Sequence, residues 1–553
     1  MDKIWLKDYP PGVPESVDWQ RYPSLVSLVQ ESLASHAGRT AFLSMGVELG
    51  YTELDRLSRH FAAWLQSRGL DRGARVALMM PNVLQYPVCL LGALRAGCIV
   101  VNCNPLYTPR ELEYQLKDSG AECIVILENF AATLQEVIGR SHVQHVVVTS
   151  VGEMLGVVKG RVVDFALRHV QHKVPDWSLP GALSLHGALA EVDASAFRPV
   201  ALEPRDLAFL QYTGGTTGVS KGAMLSHGNM VANVLQAEAW LRPVMGDTGE
   251  IIVTALPLYH IFALTANCLT FLRLGAANLL IINPRDIPAF VRELGKVPFT
   301  ALTGVNTLFN ALLNDPDFAK LDFSSLHITL GGGMAVQRTV AERWHTVTGK
   351  PLVQAYGLTE TSPAVTIDPL DLPEFDGSIG LPLPSTELSI RDDRGTEVSV
   401  GQVGEICVRG PQVMAGYWHR PAETAQVFHA DRFLRTGDLG YVDAHGHVFL
   451  VDRKKDLIMV SGFKVFPNEV EEVVAMHPGV SEVAAIGVPD EHSGETVKIF
   501  VVRKDPKLTA EDLIAHCRRL LTAYKVPHHV EFRDDMPRSP VGKILRRVLR
   551  DAA

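Results

Sequence analysis

Residues 208–223 read AFLQYTGGTTGVSKGA, an apolar run leading into a loop of glycine, threonine and lysine. The run 208–211 predicts a short strand, and the loop after it decides the class of fold. Gly214, Gly215, Gly218 and Gly222 let the backbone turn its N–H groups into one concavity. Thr213, Thr216, Thr217 and Ser220 add hydroxyls, and Lys221 adds positive charge. This composition suits a triphosphate tail. It is not a Walker A loop, which needs Gly directly before the Lys and Ser or Thr directly after it. Here Ser220 precedes Lys221 and Gly222 follows. No G-x-G-x-x-G fingerprint is present at this place either. A plain linker is disfavoured, because threonine suits a flexible linker poorly and a strand-like run abuts the loop.

Working outward from the loop, the first 200 residues alternate helical and strand patterns. Helices are predicted over 51–68 and 85–96, and strands over 75–80, 99–102, 122–127 and 145–149. Thr108 followed by Glu111 has the spacing of a capping box. Such alternation implies α/β layers around parallel sheet. Residues 380–451 are rich in short strands and turns. The polar run DRKKD (452–456) then predicts an exposed hinge. Beyond it come a strand over 457–460, a helix over 467–476, strands over 480–488 and 498–504, and a helix over 509–521. The expected fold is α/β: a large multi-subdomain N-terminal domain over 1–452, a hinge over 453–456, and a small mobile α+β lid over 457–553.

At 553 residues the chain is too long for one ordinary core. A net charge of −9 argues against nucleic acid as the main partner, since phosphate backbones demand clustered Lys and Arg. The seven cysteines form no CxxC pair, which disfavours structural zinc and suits a reducing compartment. The start MDKIWLKDYPPGVPE lacks an apolar signal region, so an intracellular protein is expected. Stretches 76–94 and 251–272 are long enough to cross a membrane, yet prolines and polar groups interrupt both, and a buried core is preferred. In 152–173, Leu155, Val158, Val162, Phe165 and Ala166 fall near one helical face, with Lys159, Arg161, Arg168 and Lys173 around them. A helix packed on the domain is preferred here to an interfacial helix on an anionic membrane.

Several further motifs occur in a fixed order: LPLYHIFAL (256–264), GGGMAVQ (331–337), YGLTETSP (356–363), RTGDLGYVD (435–443), VDRKKDLIMVSGFKVFPNEVEEV (451–473) and PRSPVGKILRR (537–547). With the loop at 212–223, this ordered set resembles the adenylate-forming superfamily over essentially the whole chain. The similarity is greatest to bacterial long-chain fatty acyl-CoA synthetases. The resemblance implies a ligase that converts fatty acid, ATP and CoA to acyl-CoA, AMP and diphosphate, feeding fatty acid β-oxidation. It implies Mg2+ as cofactor, peripheral contact with the inner face of the cell membrane, and a homodimer.

The site residues follow from the same resemblance. Lys543 matches the mobile lysine that bridges acyl carboxylate and phosphate; by spacing alone it would read as part of a basic tail with Arg546, Arg547 and Arg550. Glu360 and Thr213 match magnesium ligands, and Thr359 and Thr361 would offer hydroxyls to phosphate. Gly214, Gly215, Thr216, Thr217, Gly218 and Lys221 match the phosphate cradle. Asp438 and Arg453 match the ribose contacts, and Gly331, Gly332, Gly333, Tyr356 and Gly357 the adenine slot. Tyr259 and His260 match an aromatic–His pair between carboxylate and nucleotide, although a histidine in an apolar run reads equally well as core. Val305 and Gly331 match walls of the acyl tunnel. Lys455 matches the hinge, and Ser461, Gly462 and Lys464 the CoA tunnel. The segment 431–455 resembles a fatty-acyl signature but carries Arg432 and Phe433 in place of a Gly-Trp pair, which bears on chain-length preference. Competing readings are the same chemistry on a medium-chain or aryl acid, transfer to a carrier protein, and a non-catalytic lipid-binding protein on this fold.

Overall fold

The computed structural model describes residues 3–213, 220–246, 249–490, 492–539 and 541–552. Among these residues the strands form four sheets. The first has seven strands, ordered Leu183–Ser184, His145–Thr149, Cys123–Leu127, Arg75–Met79, Ile99–Asn102, Leu207–Thr213 and Lys221–Ser226. All neighbours are parallel except the last pair, which is antiparallel and sets Thr213 opposite Lys221. The second has nine strands, with Val353–Gly357, Ile328–Gly332, Ala301–Gly304, Ile251–Thr254 and Ala277–Leu280 as consecutive parallel neighbours. Strands buried on both faces need apolar residues throughout, and Cys123–Leu127 is buried at every position.

The predicted elements of the first 150 residues are present to within a residue or two. The capping box closes as expected: the Glu111 N–H donates to Thr108 Oγ1 at 3.4 Å, and the Thr108 N–H donates to Glu111 Oε2 at 2.9 Å. The two apolar stretches are core. Helix Gln85–Arg95 is buried along its whole length, and 251–272 is divided between a strand and shorter helical segments. No described helix is long and apolar enough to cross a membrane.

A four-stranded antiparallel sheet, Glu387–Arg391, Gly404–Arg409, Leu434–Val442 and Val448–Arg453, ends at the predicted hinge. Past Asp456 the chain builds a separate sheet. It comprises Phe463–Val465, Ile458–Val460, Gly494–Arg503 and Val480–Asp490, with His529–Arg533 parallel to Gly494–Arg503. Its own core gathers Ile458, Val470, Val483, Ile499 and Leu513. Ile458–Val460 and Phe463–Val465 join through Ser461 and Gly462, whose φ values of 50° and 84° make a tight two-residue hairpin turn. Phe463–Val465 and His529–Arg533 were not predicted: the first is very short, and the second is half-exposed and mixed in polarity.

One expectation holds only in part: the helix packs on the body through Val163 and Leu167, not through the expected face. The face formed by Val158, Val162 and Phe165 does not pack on the body; these side chains are exposed, and only Leu155 of that set is buried. Helix Val157–Phe165 instead turns Gly160 inward. A Cβ on Gly160 would lie 2.2 Å from the Gly152 carbonyl oxygen, so the backbones meet where a side chain would stand.

Candidate functional site

A cleft of about 2480 Å³ opens beyond the carboxyl ends of the parallel strands, and the lid closes over it. Strand ends are where an open α/β sheet leaves side chains and backbone N–H groups free for ligands. Thr213 ends its strand there, Val305 follows Ala301–Gly304, and Gly332 and Gly357 end theirs. Each of these four lines the cleft. Gly214, Gly215, Thr216, Thr217 and Gly218, the heart of the predicted cradle, lie outside the described residues.

Lys543 reaches into the cleft from the lid. A Cβ on Gly333 would come within 3.1 Å of Lys543 Cε, and Gly333 itself has a φ of +79°, so glycine satisfies two constraints there. The Thr307 hydroxyl donates to the Gly542 carbonyl at 3.1 Å and fixes the turn that presents the lysine. Burial, reinforced by the nearby Arg453 charge, pushes the Lys543 ammonium down to about 8, with Asp438 and Glu360 acting the other way. Its Nζ has no hydrogen-bond or ion-pair partner among the described residues.

The lid is pinned in this position by Arg546. Its guanidinium reaches Asp452 at 3.3 Å, the last-but-one residue of the four-stranded sheet, and Glu471 of the lid at 2.8 Å. Asp452 also accepts the Asn468 N–H at 2.8 Å. Sequence reasoning treated Arg546 only as part of a basic tail.

Asp438 is buried and doubly held. The Tyr356 hydroxyl donates to its Oδ2 at 2.7 Å, and Arg453 Nε lies 3.2 Å from Oδ1. The strands carrying Asp438 and Arg453 pair these two residues directly in register. Three predicted residues, far apart in sequence, therefore form one polar wall of the cleft. Gly357 permits a close crossing: a Cβ there would sit 2.0 Å from the Pro363 carbonyl oxygen.

Glu360 stands on a short helical turn, Thr359–Thr361, with its Oε1 accepting the Tyr417 hydroxyl at 2.7 Å. Lys221 Nζ lies 5.4 Å from the centre of the Tyr417 ring. Tyr417 thus links the phosphate-loop lysine to the glutamate, and no motif or spacing pointed to it. Thr359 lines the cleft, but Thr361 does not serve as expected: it is buried, and its hydroxyl is engaged by the Leu358 and Pro363 carbonyls. Glu360 and Thr213 both line the cleft, and one carboxylate with one hydroxyl is a donor set that suits Mg2+, an ion bound chiefly through substrate phosphates and water.

His260 and Tyr259 follow the strand Ile251–Thr254 and line the same cleft. Burial, with the Lys543 charge adding to it, depresses the imidazole to about 3, so the ring is neutral at physiological pH. Its Nδ1 accepts the Phe262 N–H at 3.3 Å, which puts the ring proton on Nε2. Burial likewise raises the Tyr259 phenol to about 12.

The structure does not bring every predicted residue to the cleft. Gly331 is buried and does not line it, and a Cβ there would lie only 2.5 Å from Val336. Lys455 lies at its rim. Ser461, Gly462 and Lys464 are exposed on the lid hairpin, away from the cleft. They lie on the hairpin 458–465, whereas Lys543 lies in the irregular segment before Arg546–Asp551, and in this lid orientation only Lys543 lines the cleft.

The sequence model of the AMP-binding enzyme family matches residues 29–418, and that of the AMP-binding enzyme C-terminal domain matches 469–543. The chain belongs to the AMP-binding enzyme family. It is 58% identical to a long-chain-fatty-acid–CoA ligase of Escherichia coli O157:H7, over 100% of this chain and 99% of that one. It is 37% identical to a protein of the same name from Bacillus subtilis, over 99% and 97% of the two chains. Among solved structures it superposes on ATP-bound MatB from Rhodopseudomonas palustris with a TM-score of 0.82, at 29% identity and 94% and 98% coverage. The fold is that of an adenylate-forming enzyme, a large N-terminal region carrying a small C-terminal one.

For an AMP-binding enzyme the state of Lys543 has a measurable consequence. Burial lowers its pKa to about 8, so its charge is present below that pH and lost above it. If the charge assists adenylation, kcat/KM for acyl-AMP formation falls as pH rises through about 8, and the limb for kcat lies higher because bound phosphates favour the ammonium. A pH profile of ATP–diphosphate exchange that stays flat to pH 10 would sink this assignment.

Proposed function

We propose that the chain is a long-chain-fatty-acid–CoA ligase, forming acyl-AMP from fatty acid and ATP and then transferring the acyl group to CoA. The observation that carries the chemistry is Lys543 held in the cleft against Gly333, within electrostatic reach of Glu360, Asp438 and Arg453. Relatives bearing this activity in their names match the whole chain at 55% to 58% identity.

In the first step a carboxylate oxygen attacks the α-phosphorus of ATP. The bond to the bridging oxygen breaks, and diphosphate leaves with its electron pair. Two anions must approach one another, so the Lys543 charge lowers the barrier by neutralising both. The His260 Nε2–H donates to the acyl carboxylate. Asp438 accepts the ribose hydroxyls, with Arg453 beside it, while Tyr356 and Gly332, Gly333 and Gly357 form the adenine slot. The loop 213–218 with Lys221 cradles the phosphates. Glu360 and Thr213 would hold Mg2+, which supplies charge neutralisation at the departing diphosphate. Tyr417 fixes the Glu360 carboxylate for that task.

For the second step the lid, 457–553, turns about 453–456 with Lys455 as pivot. Lys543 leaves, and Ser461, Gly462 and Lys464 take its place beside the pantetheine arm. The thiol sulfur bonds to the acyl carbon, the bond to the phosphate oxygen breaks, AMP leaves with the electron pair, and the thiol proton passes to solvent. The acyl tail runs past Tyr259 and Val305.

A graded series of saturated acids tests the substrate. While the tunnel is filling, each methylene buried should stabilise binding by ~0.8 kcal/mol, roughly fourfold in kcat/KM. Loss of turnover beyond about C10 would overturn the long-chain reading in favour of a medium-chain ligase.

A further inference from the structure

The segment Val157–Val170 carries a concentration of exposed apolar side chains. Val157 is 71% exposed, Val158 78%, Val162 63%, Phe165 62% and Val170 66%. This is not a loose strand of chain. Gly160 lies backbone to backbone against Gly152, and the inward Asp164 carboxylate accepts the Ser150 hydroxyl at 2.7 Å and the Gly152 N–H at 2.8 Å. Val163 and Leu167 pack on the main core from the same inner side. The helix is therefore fastened by one face, and the opposite face, with Val158, Val162 and Phe165 at i, i+4 and i+7, meets solvent.

The charges around this face are basic, although the whole chain carries −9. Arg161 lies on the apolar face and makes no ion pair among the described residues. Lys159 borders it, its ammonium resting on the Met45 carbonyl, and Lys173 follows. Arg168 pairs with Glu128, and the helix's single acid, Asp164, faces inward. An apolar stripe framed by cations fits a surface that is greasy below and anionic above.

We propose that Val157–Val170 is a docking helix for an anionic lipid bilayer, lying in the plane of the membrane with Val158, Val162 and Phe165 among the acyl chains and Arg161 at the headgroups. It rests on the reading that the substrate is a membrane-partitioning acid, and it names the surface by which the enzyme would meet that reservoir. The helix lies in the plane and spans nothing.

The test uses the full chain without substrates, sedimented with vesicles of phosphatidylglycerol and phosphatidylethanolamine or of phosphatidylcholine alone. Binding is expected to the anionic vesicles and to weaken with salt. Arg161→Glu should cost at least roughly fivefold in partitioning, the effect of one interfacial charge. The triple variant Val158→Gln/Val162→Gln/Phe165→Gln should cost at least ~10-fold, while keeping wild-type melting and wild-type turnover of a soluble acid in detergent-free buffer. Vesicle binding unchanged in the triple variant, or no binding by the wild type, overturns the proposal. Self-association of the wild type that the triple variant loses, without vesicle binding, overturns it in favour of a second copy as occupant. Failure to turn over long-chain acids would instead strike the substrate reading, and that assay is run separately from vesicle binding.

Discussion

Lys543→Ala is expected to reduce acyl-AMP formation by roughly 10²–10³-fold, while thioester formation from supplied acyl-AMP and CoA keeps most of its rate. The first loss follows from removing the lid charge that enters the cleft beside Gly333. On the proposed lid rotation the second half is spared, since the lysine vacates the cleft before the thiol approaches. Stability is expected to change little. The ammonium has no partner among the described residues, and its burial costs free energy, as its depressed pKa of about 8 records. ATP–diphosphate exchange reads the first half, and release of AMP from acyl-AMP reads the second. Equal loss of both would refute the division of labour. Full activity in exchange would remove Lys543 from the chemistry altogether.

Asp438→Ala is expected to raise the KM for ATP by at least ~100-fold: on the proposed role it removes the acceptor of two ribose hydroxyls, each hydrogen bond to a charged group contributing about 1.5–3 kcal/mol. The same substitution strands the buried Tyr356 hydroxyl and leaves Arg453 without its carboxylate. A stability loss of about 1–3 kcal/mol therefore accompanies it, the penalty for unpaired buried polar groups. Comparison with Tyr356→Phe separates the two effects. That variant loses the hydroxyl's bond to Asp438 but keeps the ribose acceptor, so its KM for ATP should move far less. If the two variants raise KM equally, Asp438 acts on the nucleotide only by positioning Tyr356. An unchanged KM in Asp438→Ala would remove the ribose role.

Much of the N-terminal layering was legible because its cause is local. Apolar runs such as Cys123–Leu127 announce strands buried on both faces, and the Thr108–Glu111 cap is written in four residues. The site was partly legible for a different reason: Asp438, Glu360 and Lys543 lie in motifs whose order resembles a known family. Tyr417 was not legible. Its tie to Glu360 spans 57 residues, and an aromatic after a glycine carries no local mark of that partner. Arg546 was hidden in the same way, since a basic tail and a lid pin share one composition until Asp452 is placed beside it.

The segment from Val157 to Val170 marks the boundary most clearly. Its residues alone determined that a helix forms, with an apolar face and cations around it. Which face turns inward was decided elsewhere, by Gly152 offering a surface so close that only the Gly160 side of the helix can meet it. Periodicity ranks faces by hydrophobicity, whereas packing selects the face whose shape fits. Likewise the sequence by itself determined the chemistry of the lid, a lysine at one end and an exposed Ser-Gly turn at the other. Only the tertiary structure decided that Lys543 occupies the cleft while Ser461 and Gly462 stay in solvent, because the hairpin turn and the segment carrying Lys543 project from different parts of the lid and only the latter meets the cleft.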